Sequence, residues 1–403
     1  MQPTLTQDQL SPVLKSLEKA NKAFTALYPG ESGDRQPVHT VYGGAQLFKA
    51  DTAVKLGEKA RASLQKFGAD AATFIQAIEP GQKHDPDFAQ RLYARVQDKL
   101  DKEPVEDFRI DFEDGYGNRP DDEEDGHAVA AAREVLKGHQ QGILPPFIGI
   151  RLKPFNDELK ARSIRTMDLF LTTLVKESGG KLPSPFYITL PKITVPEQAV
   201  ALASLLTQLE KALGVPEKTF EVELMVETTQ AIFNDQGSVP LLKMVEACAG
   251  RCRAAHFGTY DYTASCKITA AYQDMLHPAC DFARDVMQVA LAGTGIWISD
   301  GATNILPVEP HRGDLTPAQV EENYAAVRDA WRLHYDHVQS SLRKAYYQGW
   351  DLHPAQLPTR YAAIYSFFLQ GLDAAGERLH NFVSKAAQAT LVGDVFDDAA
   401  TGQ

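Results

Sequence analysis

Charged side chains recur at the ends of short apolar, β-branched runs in this chain. Glu113 and Asp114 follow FRIDF, Arg151 closes FIGIR, Lys192 follows FYITLP, Glu227 closes FEVELMVE and Asp261 follows RAAHFGT. Asp300 after GIWIS, and Asp351 and His353 in WDLH, occupy comparable places. If these run ends meet at one mouth, the acids repel one another unless a cation neutralises them. An oxygen-only ligand set without His or Cys suits Mg²⁺, or less often Mn²⁺ or Ca²⁺. Such an ion keeps waters and takes further ligands from substrate. Two carboxylates with an arginine therefore point to a small anionic molecule whose carbonyl the metal polarises and whose developing enolate it stabilises, while the guanidinium binds carboxylate or enolate oxygen.

The residues do not weigh equally. Glu227 ends an otherwise apolar stretch (Leu224, Met225, Val226), and with Asp261 it reads as the metal pair. Arg151 ends FIGI, where an unpaired charge is costly; substrate binding is the leading reading and a structural salt bridge the other. Lys192 stands between the two roles. Asp300, Asp351 and His353 read as loop or cap residues, and Asp121–Asp125 as a solvated helix start. His39, His127 and His256 show no ligand spacing and receive no role.

The elements that must position these side chains alternate regularly. Helical patterns are expected over 7–28, 51–101 (broken at Pro80-Gly81), 121–138 with Gly138 as the stop, 157–177, 195–214, 238–248, 278–293, 315–348 and 357–390. Strands are expected at 37–42, 108–112, 146–152, 186–190, 220–227, 253–259, 295–299 and 350–353. Strands separated by helices pair in parallel, and eight such units predict a closed (β/α)8 barrel with its site at the strand C-terminal ends. A doubly wound open sheet is the alternative, but its phosphate fingerprint, G-x-G-x-x-G, is missing after the first strand. The expected division is an N-terminal helical segment (1–36), a catalytic barrel (37–360) that includes a helical insert between strands one and two, and a C-terminal helical extension (361–403). The tail after about 391 reads as frayed.

The 403 residues carry 41 Lys and Arg against 53 Asp and Glu, a formal charge of −12, which argues against nucleic acid or an anionic membrane as the main partner. No apolar run approaches the roughly 18 residues a membrane helix needs, and the start lacks a basic region followed by an apolar one. Four cysteines, all between 248 and 280, fit no common zinc spacing and read as reduced thiols. A cytoplasmic protein is the expectation.

Taken in order, the motifs resemble those of the citrate-lyase beta-subunit and HpcH/HpaI aldolase family, whose barrel is shared with malate synthases and other phosphoenolpyruvate/pyruvate-type enzymes. IDFEDGYGNRPDDEEDGHAVAAAREVL resembles the strand-two D-L-E-D signature and the helix after it, and GIRLKPF the V-R-x-N strand. YITLPKITVPEQA resembles the L-P-K-V-E-S segment, LMVETTQAI the strand ending in the metal-binding glutamate, and AAHFGTYDYTASC the segment supplying the metal-binding aspartate. ISDG is similar to the family's I-D-G turn, and YYQGWDLHPAQL to its last motif.

The resemblance implies a Mg²⁺ (Mn²⁺ as the substitute) held by Glu227 and Asp261, with Arg151 binding and polarising the reacting carbonyl. Glu113 and Asp114 would be catalytic residues holding metal-bound water, and Lys192, Gly258 and Thr259 would contact an oxoacid or acyl thioester. The implied reaction is carbon–carbon cleavage or formation in the aldol or Claisen sense, by a homo-oligomer. The opening strand, PVHTVYGGAQLF, lacks the arginine and proline of the family's R-S-x-L-F-V-P-G, which favours free acids over a coenzyme A ester. The lead is thus a lyase or aldolase. The alternatives are a malate-synthase-like acyltransferase, a phosphoryl-transfer enzyme on the same site, or a barrel that binds metabolite without turnover.

Overall fold

The computed structural model describes residues 3–82, 84–384, 390–392 and 395–397. After helix α1 (Gln7–Leu27) and strand β1 (His39–Gly44) come three helices, α2 (Thr52–Phe67), α3 (Ala71–Ile78) and α4 (Pro86–Lys102). Strand β2 (Asp107–Asp111) leads to α5 (Asp121–Gln141), β3 (Phe147–Arg151) to α6 (Lys160–Glu177), and β4 (Phe186–Leu190) to α7 (Pro196–Leu213). Strand β5 (Phe220–Val226) precedes α8 (Thr229–Ile232) and α9 (Leu241–Ala247), and β6 (Cys252–Phe257) precedes α10 (Thr259–Ser265) and α11 (Pro278–Leu291). Strand β7 (Trp297–Ala302), α12 (Pro317–Arg343), β8 (Gln348–Asp351) and α13 (Leu357–Ser384) complete the alternation. Thr390–Val392 and Val395–Asp397 form a small antiparallel pair, β9 and β10, inside the segment the sequence reads as frayed; the rest of that segment lies outside the described residues.

The expected (β/α)8 barrel is present: β1 to β8 pair in parallel in chain order and the sheet closes through β8 and β1, with Val41 beside Asp351. Boundaries follow local chemistry. The insert between β1 and β2 breaks at Pro80-Gly81 as expected, and also before Ala71, where the Asp70 side chain accepts from the Thr73 N–H (2.8 Å) and caps a new helix. The expected stop of α5 at Gly138 is not where the helix ends. Gly138 is helical and buried, and the left-handed residue that ends the helix is Gly142 (φ 67°), whose N–H donates to the Gly138 and His139 carbonyls.

The residues form two compact units. The first (Met1–Lys55, Val105–Thr303, Tyr346–Leu352) contains the barrel strands and α5 to α11. Its interior is polar as well as apolar. Below the strand C-termini, Arg109 donates to Glu223 (2.6 and 2.9 Å), to Thr189 (3.1 Å) and to Asp107, and its guanidinium lies 4.7 Å from the Tyr187 ring. Thr40 joins this layer through Asp107 (2.8 Å), and His256 through Glu223 (3.4 Å). The second unit (Leu56–Pro104, Asn304–Ala345, His353–Gln403) packs α3, α4, α12 and α13 around Trp331, whose ring meets Phe74 edge-on at 5.5 Å and whose indole N–H donates to the Ala355 carbonyl (2.7 Å). Among the described residues, no helix is long and apolar enough to cross a membrane.

Candidate functional site

At the strand C-termini of the barrel unit a cavity of about 360 Å³ is lined by Tyr42, Asp111, Arg151, Glu227, Asp261 and Trp350, with Asp114, Gly258 and Thr259 also on its wall. Three consecutive strands build one side of it. Asp111, the last residue of β2, accepts from the backbone N–H groups of Glu113 (2.9 Å) and Gly115 (2.7 Å). It also accepts from Arg151 at the end of β3, through Nε (2.8 Å) and Nη2 (2.5 Å). Residue 115 has to be glycine here, because a Cβ would sit 2.7 Å from Asp111 Oδ2. The two-pronged pairing fixes the guanidinium plane and turns Nη1 toward Glu113 (3.1 Å) and Asp114 (3.7 Å). Tyr42 (4.8 Å) and Trp350 (5.8 Å) lie under that guanidinium, their own rings 4.5 Å apart.

Lys192 enters just past β4 in the left-handed backbone region (φ 50°), an uncommon conformation for a residue with a side chain. That conformation places both ends of the residue in the site. Its backbone N–H donates to Glu227 Oε1 (2.7 Å), and its ammonium donates to Glu113 and lies 3.3 Å from Asp114 and 3.4 Å from Asp261. Glu227 follows β5 and is buried. Burial, then the neighbouring charge of Asp261, push its carboxyl up to about 8 against the pull of Lys192. Burial pushes Glu113 up to about 7 although Arg151 and Lys192 oppose the shift. Burial would lower Lys192, yet Glu227, Glu113 and Asp261 hold it above the usual lysine range. Gly258, between β6 and α10, makes room for Glu227: a Cβ there would lie 2.3 Å from Oε2. Thr259 follows it, its hydroxyl buried and without a hydrogen-bond partner.

Every residue read from the sequence as catalytic, substrate-binding or metal-ligating thus stands in one cluster. Among the described residues, no three His, Cys, Asp or Glu side chains form a ready-made ion site. The donors that Glu227 and Asp261 offer nevertheless suit a hard divalent ion: they are oxygens only, and their mutual repulsion is what lifts Glu227 beyond the effect of burial. Asp300, Asp351 and His353 make structural contacts. Asp300 pairs with buried Arg284 (2.9 Å), Asp351 with His39 (2.9 Å), and the His353 ring accepts from the Ala355 N–H (3.2 Å). The acidic start of α5 is not simply solvated, as the sequence suggests. Glu124 is buried against Lys153 (2.8 Å), and Asp125 binds Arg162 and Arg165 (2.5 and 2.6 Å), because β3 and α6 bring those cations over it.

Sequence reasoning passed over Asp111, Tyr42 and Trp350. A signal for Asp111 existed: in β2 the charged residues 107, 109 and 111 alternate with Phe108 and Ile110, a period of two that puts one face inside the barrel. Nothing comparable marked the two aromatic residues.

The closed eight-stranded parallel barrel is a fold that solved citrate lyase and malate synthase structures share. A citrate lyase from Burkholderia xenovorans LB400 superposes with a TM-score of 0.58 at 18% identity, over 93% of this chain and 90% of that one. Malate synthase from Haloferax volcanii superposes with a TM-score of 0.50 in its magnesium/glyoxylate complex (14% identity, 82% and 76% covered) and in its lead(II) complex (13%, 87% and 86%). No curated protein matches the sequence. The chain belongs to the family described as a domain of unknown function, DUF6986, whose model matches residues 17–403.

Proposed function

We propose that the chain is a divalent-metal-dependent carbon–carbon lyase of the aldolase type, acting on a small carboxylate at the mouth of the barrel. The observation that carries this reading is the pair Glu227 and Asp261: two acids from successive strand ends, one buried and pushed up to about 8, beside an arginine already locked in orientation. Glu227 and Asp261 would hold the ion, Mg²⁺ or Mn²⁺, which supplies positive charge where an enolate develops. Arg151, held by Asp111 and seated over Tyr42, presents Nη1 to a substrate carbonyl or carboxylate without having to reorganise. Glu113, pushed up to about 7, has the affinity to accept and return a proton near neutral pH. Asp114, largely exposed on the same rim, and Lys192 set the field in which that proton moves. Gly258 and Thr259 bring the backbone close to the substrate.

The structural relatives support this reading through their fold, and one of them is a malate synthase with magnesium and glyoxylate bound. The test has two arms. In the first, Mg²⁺ or Mn²⁺ should raise the thermal midpoint of the wild type, and Glu227→Gln and Asp261→Asn should abolish that rise while leaving the ion-free midpoint within a few degrees, because an ion stabilises only the state that binds it. An unchanged response in both variants removes the proposed ligands. In the second, small hydroxy- and oxoacids are screened with Mg²⁺. Release of pyruvate or glyoxylate is the expected result, whereas thioester consumption would make the chain an acyltransferase.

A further inference from the structure

The cavity at the barrel mouth has two unlike sides. In a closed eight-stranded barrel each strand faces the one four places on. Strands β3, β4 and β5, which lead to Arg151, Lys192 and Glu227, therefore stand opposite β7, β8 and β1. That second sector brings Ala302 at the end of β7, Trp350 in β8, Leu352 just past it and Tyr42 in β1 to the cavity wall, where Tyr260 from α10 joins them. Both phenols are engaged by the protein: the Tyr42 hydroxyl donates to Met225 Sδ (3.7 Å) and the Tyr260 hydroxyl to the Ala302 carbonyl (2.7 Å). What this sector adds to the cavity is thus largely apolar, aromatic rings and aliphatic groups. Leu352, 42% exposed, carries that wall to the lip.

A substrate whose carboxylate and carbonyl meet Arg151 and the acid pair sends its other end across the mouth, onto this wall. Pyruvate and glyoxylate offer it only a methyl group or a hydrogen. The cavity of about 360 Å³ falls within the range of roughly 300–1,000 Å³ that encloses larger ligands. A second carboxylate fares worse. Among the described residues that line the cavity, Arg151 alone is cationic, and it already serves Asp111 and Glu113. Asp114, Glu227 and Asp261 repel a further negative charge, and one pressed against aromatic rings without a partner is costly. Resting on the lyase reading of this site, we propose that the substrate carries one carboxylate and an uncharged apolar substituent, branched aliphatic or aromatic, which packs on Tyr42, Trp350, Leu352 and Tyr260. For R–CHOH–CH2–CO–COO⁻ with R apolar, cleavage breaks the C3–C4 bond. Glu113 takes the C4 hydroxyl proton, the bonding pair stays on C3 as the enolate, and the proton returned to C3 gives pyruvate and the aldehyde R–CHO.

Isothermal titration calorimetry on the full chain, with and without Mg²⁺, tests the proposal with pyruvate, 2-oxoglutarate, 4-methyl-2-oxopentanoate and phenylpyruvate. In Mg²⁺ the last two should bind at least about tenfold tighter than pyruvate, since even one methylene in an apolar pocket is worth that much. The dicarboxylate should bind no tighter than pyruvate. Leu352→Asp, at a part-exposed position, should lower the ratio of phenylpyruvate to pyruvate affinity at least about fivefold by setting a charge in the apolar wall, and Leu352→Met should keep the ratio. Equal affinities for the four acids, a preference for 2-oxoglutarate, or an undiminished ratio in Leu352→Asp would overturn the proposal while a Mg²⁺-dependent lyase still stands. Failure of the lyase reading looks different: no oxoacid then binds more tightly with Mg²⁺ than without it, and the proposal falls with that reading.

Discussion

Asp111 accepts four hydrogen bonds, two from backbone N–H groups of the loop after β2 and two from Arg151, and so sets both the loop and the guanidinium. Both partners of the pair are buried. Breaking such a pair from one side strands a charge, and Asp111→Ala should cost about 3 kcal/mol in urea unfolding, the low end for such losses because Glu113 still faces Arg151. Burial acts to raise the Asp111 carboxyl, but Arg151 outweighs it and holds the group below the usual range. A carboxyl lowered in the folded state stabilises at pH values above its unfolded pKa, and that contribution disappears as pH falls through the folded value. The stability gap between wild type and Asp111→Ala should therefore be full at pH 7 and close below about pH 4, where the unfolded carboxyl protonates. A gap independent of pH would show that the charge pairing is not what Asp111 contributes.

At the scale of elements, the junction of β6 and α10 decides whether Glu227 can occupy its place. A Cβ at 258 would fall 2.3 Å from Glu227 Oε2, a chain end that can swing away, but also 2.5 Å from Glu227 Cβ, which moves only with the backbone. Gly258→Ala should therefore displace Glu227 and weaken the Mg²⁺-dependent rise in thermal midpoint at least tenfold in apparent affinity, while circular dichroism shows the barrel intact. An unaltered metal response would mean that the two strand ends are not coupled. Elements were legible to different depths. All eight strands stood out, because apolar β-branched runs between helical patterns are local signals. The stop of α5 was misplaced by four residues, because either Gly138 or Gly142 satisfies the composition, and it is Gly142 that takes the left-handed conformation (φ 67°).

For the molecule as a whole, closing eight strands buries whatever points inward, charged or not. Arg109 sits between Asp107 and Glu223 in the barrel interior, and burial together with these two acids shapes its ionisation, the acids prevailing so that it stays charged. Arg109→Met should leave both acids buried without their cation and lower stability by roughly 3–5 kcal/mol. The loss should appear as an earlier unfolding transition followed by both near- and far-ultraviolet circular dichroism. A variant as stable as the wild type would mean that the acids are neutral in the folded barrel.

The amino-acid order alone determined the count and order of the eight barrel strands, and with them the rim on which Glu113, Asp114, Arg151, Lys192, Glu227 and Asp261 stand. Alternation and helical periodicity are written within ten or twenty residues, and in a parallel barrel every strand end points the same way. Pairing was decided only in three dimensions. That Arg151 answers to Asp111, forty positions earlier, that Lys192 lies among four acids, and that Tyr42 and Trp350 floor the guanidinium all depend on sheet register and on the closure of β8 against β1. Register fixes which side chains from distant strands share a level, and a charge finds its partner by distance through space, which no local spacing in the chain encodes.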